Sequence, residues 1–73
     1  MKLRFTYHAQ SQALARHIDE SRVAETIRRP DFTGPARGSA AIYRKKFGND
    51  ILEVICKKGR QKNEYLVLTA YYR

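Results

Sequence analysis

From the N-terminus, Lys2-Leu3-Arg4-Phe5-Thr6-Tyr7 alternates polar and apolar positions, the period of a short strand or an extended lead-in. The period then changes. Tyr7, Leu14 and Ile18 are spaced by seven and four residues, which is one stripe of a helix and the side expected to pack on a core. This helix is expected near residues 8–17, with Thr6 as an acceptable N-cap and Ile18 docking as the chain leaves it. A second helix is expected near residues 20–28. Asp19 suits its start, Val23 and Ile27 lie one turn apart with Ala24 beside them, and Pro30 stops it just after Arg28 and Arg29.

Two Pro and two Gly then mark residues 30–39 as a loop, with Phe32 pinned to the core. Three strands follow, at 40–47, 51–58 and 65–72. Gly48-Asn49 is a tight-hairpin signal. A two-residue turn there sets Arg44 opposite Glu53, Tyr43 opposite Val54, Lys45 opposite Leu52 and Ala41 opposite Cys56. Charges meet charges and apolar residues meet apolar residues. The face with Tyr43, Phe47, Leu52 and Val54 should therefore meet the helices. Lys45 shares it and must emerge at an edge or point into a cleft. The last strand is the most apolar run and reads as central or covered on both faces. The fold class is α+β: two N-terminal helices packed on a three- to four-stranded antiparallel sheet.

Size and charge narrow the reading. The 73 residues make a single domain, 1–73, with room for one small core, so a homodimer is one way for it to gain buried surface. An apolar share of 42% argues against disorder. Cys56 is alone, so no internal disulfide is available, which fits a reducing cytoplasm. No run approaches membrane-spanning length, and the N-terminus lacks the pattern of a signal peptide. Fifteen Lys and Arg against seven Asp and Glu give a net charge of +8. Such a field attracts polyanions, with RNA first and an acidic protein second. The plain alternative is charge that serves solubility.

The candidate chemistry begins with a second stripe on the first helix: His8, Gln12 and Arg16, four residues apart. RNA cleavage through the 2′-hydroxyl needs proton transfer and a cation for the phosphorane. Histidine suits the first and arginine the second. The structural alternative is that His8 caps or packs at the helix start and Arg16 is solvated. Lys45 is a candidate phosphate contact in the cleft. Arg44 and Lys46 are RNA contacts in one reading; in the other, Arg44 pairs with Glu53 and the lysines blunt an edge strand. Tyr65, Thr69 and Tyr71 alternate along the last strand and are expected to share a face with Val67, where hydroxyls and rings could meet phosphates and bases. Lys57, Lys58, Arg60 and Lys62 form a long basic loop, read as flexible and able to widen a phosphate-binding surface. His8, His17 and Cys56 do not have metal-ligand spacing, and no cofactor is implied.

"Tyr7-His8-Ala9", "Arg16-His17-Ile18", then Val23, Ile27 and Pro30, resembles the opening of the bacterial domain-of-unknown-function family 4258. "Leu66-Val67-Leu68-Thr69-Ala70-Tyr71" resembles that family's last strand. Members typically have a Tyr-Ser-His-Ala-like start, an arginine-bearing helix, a Gly-Ile step, a second helix ending in Asn-Pro, and a three-stranded meander. Gln12 stands where an arginine is usual and His17 where a glycine is usual, which points to an incomplete catalytic set and an altered helix end. The resemblance implies a place near the RelE-like superfold of small metal-independent ribonucleases, which includes contact-dependent-inhibition toxins. It implies a toxin-type endoribonuclease or a degenerate relative, with His8 handling the proton, Arg16 and Lys45 holding phosphate, and Thr69 or Tyr71 orienting it. The alternative is a non-catalytic module that binds RNA or an acidic antitoxin-like protein.

Overall fold

The computed structural model describes Met1–Arg73. Seven elements follow in order: β1 (Lys2–Phe5), α1 (Tyr7–Arg16), α2 (Glu20–Arg28), β2 (Phe32–Pro35), β3 (Ala41–Phe47), β4 (Asp50–Lys58) and β5 (Glu64–Tyr72). The strands form one sheet in the order β1-β5-β4-β3-β2. The fold is α+β, as expected, but the sheet is mixed and five-stranded. β2 to β5 pair antiparallel, whereas β1 runs parallel to β5. Two stretches account for the extra strands. The alternating lead-in becomes β1 and covers part of the free edge of β5, whose backbone groups would otherwise be unpaired. The expected loop contains β2, which tolerates Gly34 and Pro35 because it lies at an edge. The last strand is thus internal, and β4 is central.

The β3–β4 hairpin has the expected register throughout, from Ala41 opposite Cys56 to Phe47 opposite Asp50. Gly48 takes φ +63° at the first turn position while Asn49 does not go positive, the pattern of a type II′ turn.

Alternation aims one side of the sheet at the helices. Leu52, Val54, Cys56, Val67 and Ala70 form the core with Ala9 and Ile18 at α1 and Val23 and Ile27 of α2. Burial pushes the Cys56 thiol up to about 11, so it is a packing residue rather than a nucleophile. Lys45, on this side, donates from Nζ to the Arg29 carbonyl at 2.8 Å and so closes the C-terminal end of α2.

The packing face of α1 differs from the expected one. Tyr7 is 86% and Leu14 74% exposed, and only Ile18 of that stripe is buried. Helix α1 packs through Ala9 and Ala13 instead, whose small side chains let it approach the sheet closely. Hydrogen bonds fix its rotation. Thr6 caps it, accepting from Ala9 N at 3.1 Å, and donates to the Leu68 carbonyl at 3.2 Å. At the other end His17 adopts the left-handed conformation, φ 55° and ψ 45°. Ile18 N donates to the Ala13 carbonyl and His17 N to that of Leu14, which is a Schellman end. The helix end is therefore the usual one, with a histidine in the left-handed conformation that glycine adopts at no cost and other residues at roughly 1–2 kcal/mol.

Candidate nucleic-acid interface

Neither helix covers the other side of the sheet. Three cross-strand rows lie on it. Phe32, Arg44, Glu53 and Tyr71 form the first, across β2, β3, β4 and β5. Gly34, Ile42, Ile55 and Thr69 form the second. Lys57, Leu66 and Arg4 form the third, across β4, β5 and β1. The face thus has an aromatic–charged row, an aliphatic row and a basic row.

A carboxylate organises the first row. Glu53 is 4% exposed. It accepts from Arg44 Nε at 2.7 Å, from the Tyr71 hydroxyl at 2.5 Å and from Arg73 Nη1 at 3.3 Å. Burial pushes its carboxyl up, but the bonds from Tyr71 and Arg44 and the charges of Arg44 and Arg73 outweigh this and hold it below the usual range. The bond to Glu53 and burial push the Tyr71 phenol up. The Arg44 guanidinium also lies 4.8 Å from the centre of the Phe32 ring. Phe32, expected in the core, is 48% exposed, because β2 places it opposite Arg44 on the uncovered side. With Phe32 and Arg44, the residues Asp31, Lys45, Lys46 and Ile51 line a shallow hollow of about 500 Å³.

A second hollow, about 520 Å³, lies at the other end, lined by Arg4, Lys57, Lys58, Arg60 and Glu64. Its loop is folded, not loose. Gly59 N donates to the Glu64 carbonyl at 2.8 Å, and Gln61 N donates to Glu64 Oε1 at 3.1 Å. A Cβ on Gly59 would lie 2.4 Å from that oxygen, so a larger residue there would push the Glu64 carboxylate off Gln61 N. Glu64 is 2% exposed, although what covers it is a thin surface turn. The backbone donor of Gln61 lowers its carboxyl despite burial, helped by Arg60 N and the charges of Arg4 and Lys2. Glu53 and Glu64 are therefore covered and hydrogen-bonded; Asp31, at the rim of the first hollow, is exposed and accepts from Lys46 N at 2.8 Å. Lys57 lies six steps along β4 from Ile51, placing the hollows about 20 Å apart at roughly 3.3 Å per residue.

The residues expected to form a site are divided by the sheet. Arg44, Lys46, Lys57, Thr69 and Tyr71 lie on the open side, and Lys58 and Arg60 rim it. Lys45 is on the other side, engaged with α2. Tyr65 and Val67 do not share a face with Thr69 and Tyr71. A β-bulge opposite Ile55 and Cys56 adds Leu68 as an extra residue, so Val67 and Ala70, three apart, both enter the core while Thr69 and Tyr71 turn outward. Thr69 Oγ1 is buried there without a hydrogen-bond partner.

The α1 stripe reaches β5 through Gln12. Its Oε1 accepts from Ala70 N at 3.0 Å, beyond the point where β1 stops pairing. Gln12 supplies a ladder partner that β1 no longer provides. His8 and Arg16 are exposed, one turn to either side. Arg4, Phe32 and Arg73 were missing from the expected site. Arg4 follows from alternation with Leu3 and Phe5, and Phe32 from β2; Arg73 depends on the phase change at the bulge. No three His, Cys, Asp or Glu side chains gather as a metal site would require.

Together these features define a class: a small two-layer α+β domain with helices on one side of a mixed sheet and a basic, partly aromatic surface on the other. The chain belongs to the family described as Domain of unknown function (DUF4258), whose model matches residues 5–72. No curated protein and no solved structure gives a significant match to it. No helix is long and apolar enough to cross a membrane.

Proposed function

We propose that the open face binds single-stranded RNA. The observation that carries this is the pair of cation-lined hollows joined by a sheet face on which Glu53 and Glu64 are buried and paired, leaving Asp31 as the one exposed acid at the first hollow. Arg44, Lys46, Lys57 and Arg4 would meet phosphates, while Phe32 and Tyr71 offer rings to unpaired bases. Affinity for a short single-stranded RNA should fall linearly with salt on a log–log plot, with a slope of about −0.7 per phosphate engaged. Replacing Arg4 and Lys57 together with Ala should make that slope shallower by about 1.4. Undetectable binding at low salt removes the proposal.

A second reading is metal-independent cleavage of the RelE-like toxin type, by an enzyme of the cytoplasm or a degenerate relative of one. The contact from Gln12 to Ala70 favours it, because it sets His8 and Arg16 within a turn of the strand that carries Thr69 and Tyr71. Arg44 and Arg73 would then hold the phosphate from the sheet. An acidic antitoxin-like partner would suit the same positive field.

A further inference from the structure

The free edge of β1 is a prepared strand edge. Lys2 N donates to the Asn63 carbonyl and Thr6 N to that of Val67, so the even-numbered residues face β5. In a parallel ladder the alternate residues then turn their N–H and C=O groups the other way. Leu3 and Phe5 thus present theirs outward, beyond the last strand of the sheet. The opposite edge, β2, carries Pro35, which has no N–H to offer, and Gly34.

A shallow groove of mixed apolar and polar lining, made of two hollows, runs beside this edge on the helix side. One hollow is lined by Phe5, Ala13, Leu14 and Ile18 with Gln10, and the next by Met1, Leu3 and Ala24 with Lys2 and Ser21. Glu20 borders both and joins them. The exposed side chains of Leu14 and Met1 stand at its lips. On the other side of β1 are Lys2 and Arg4, close to the basic hollow of Lys57 and Arg60.

We propose that β1 accepts an extended segment of an acidic partner protein as a sixth strand. That strand has apolar side chains at alternate positions, in the groove beside Leu3 and Phe5. Its remaining side chains are acidic and lie beside Lys2 and Arg4. Charge selects this occupant over a second copy of the chain, since two molecules of net charge +8 repel. Backbone bonds would supply affinity and the alternating side chains specificity, as in strand addition generally. The inference goes beyond the RNA reading and stands whether or not the open face binds RNA.

The test uses the full chain and a synthetic peptide of about ten residues alternating Val and Glu. At ten times its dissociation constant, exchange of the Leu3 and Phe5 amides should slow about tenfold. A Val–Lys peptide should leave both unchanged. Two N-methylated forms sharpen the result. Methylation at alternate residues removes the donors from one edge of the peptide, so one parity should abolish binding and the other preserve it. Failure of the Val–Glu peptide to bind at millimolar concentration overturns the proposal. So does binding that survives methylation of both parities, that leaves Leu3 and Phe5 unprotected, or that the Val–Lys peptide matches.

Discussion

The two sides of the sheet are built from the same strands yet follow different physics. On the helix side, Leu52 and Val54 are fully buried, and stability comes from apolar area removed from water. One residue away on the same strand, Glu53 is almost as inaccessible, but it is held by donors from three residues. A carboxylate in the middle of a central strand would be costly if bare. Here its cover is a thin layer of Arg44, Tyr71 and Arg73, so water stays close and the cost is modest. The core side admits a polar group only with its partner built in, as at Thr26, whose hydroxyl donates to the Arg22 carbonyl at 2.8 Å. The open side can rearrange its charges for a ligand. A chain this small has one core, and the same alternation that fills it leaves the other face free for binding.

The largest difference between the faces should appear in truncation. Leu52→Ala leaves a cavity at the centre of β4 and should cost about 3 kcal/mol. Ile42→Ala on the open face should cost on the order of 1 kcal/mol, since its neighbours can be solvated. Denaturant unfolding of the two variants checks this. Equal losses would mean that the open face is covered in solution, by a second copy or another partner.

How far this contrast could be read in the sequence depends on the strand. In the β3–β4 hairpin the turn residues fix the register, so Arg44 opposite Glu53 and the Tyr43–Val54 core pair were both legible. In β5 strict alternation misassigns the face of Thr69 and Tyr71 relative to Val67, because no residue type there announces a bulge. The second helix shows its buried side in Val23 and Ile27. The first hides its own, since Tyr7 and Leu14 look like core residues. Ala9, Ala13 and the hydrogen bonds of Thr6 and Gln12 set the true orientation, and those depend on where β5 lies. The basic character of the site was plain from charge. Its division between two sides of the sheet was not, because Lys45 differs from Arg44 and Lys46 only in parity.

A smaller effect separates charge from burial. Glu53 has a folded-state pKa below its unfolded value, so the stability it adds is present above the ordinary carboxylate range and is lost as pH falls through the folded value. Glu64 acts with the same sign. Unfolding free energy should therefore decline below about pH 4.5, and Glu53→Gln should flatten part of that decline while lowering stability at neutral pH by about 1–2 kcal/mol. Tyr71 works in the other direction. Its raised phenol pKa means that its share is present below the unfolded value and is lost as pH rises through the folded one. Tyr71→Phe should weaken the alkaline limb of that dependence. An unchanged acid limb in Glu53→Gln would show that the three-donor cluster does not persist in solution.

The smallest expected change in stability belongs to His8, and it distinguishes the two functional readings. The N-cap role falls to Thr6, and His8 is exposed with no side-chain hydrogen bond among those that fix α1. Removing its imidazole should shift unfolding free energy by no more than about 0.5 kcal/mol. It lies off the three rows that would bind RNA, so affinity and its salt slope should also stay near the parent values. Proton transfer would respond differently. If the α1 stripe works with Thr69 and Tyr71, His8→Ala should reduce cleavage by about 10²–10⁴-fold while melting and binding stay unchanged. Arg16→Ala, next along the stripe beyond Gln12, should then lower cleavage as well, through loss of charge stabilisation at the phosphate. Cleavage at the parent rate in both variants would remove the stripe from the chemistry. The domain would then be a binding module whose first helix serves to hold the edge of β5, with Gln12 supplying the rung that β1 leaves open.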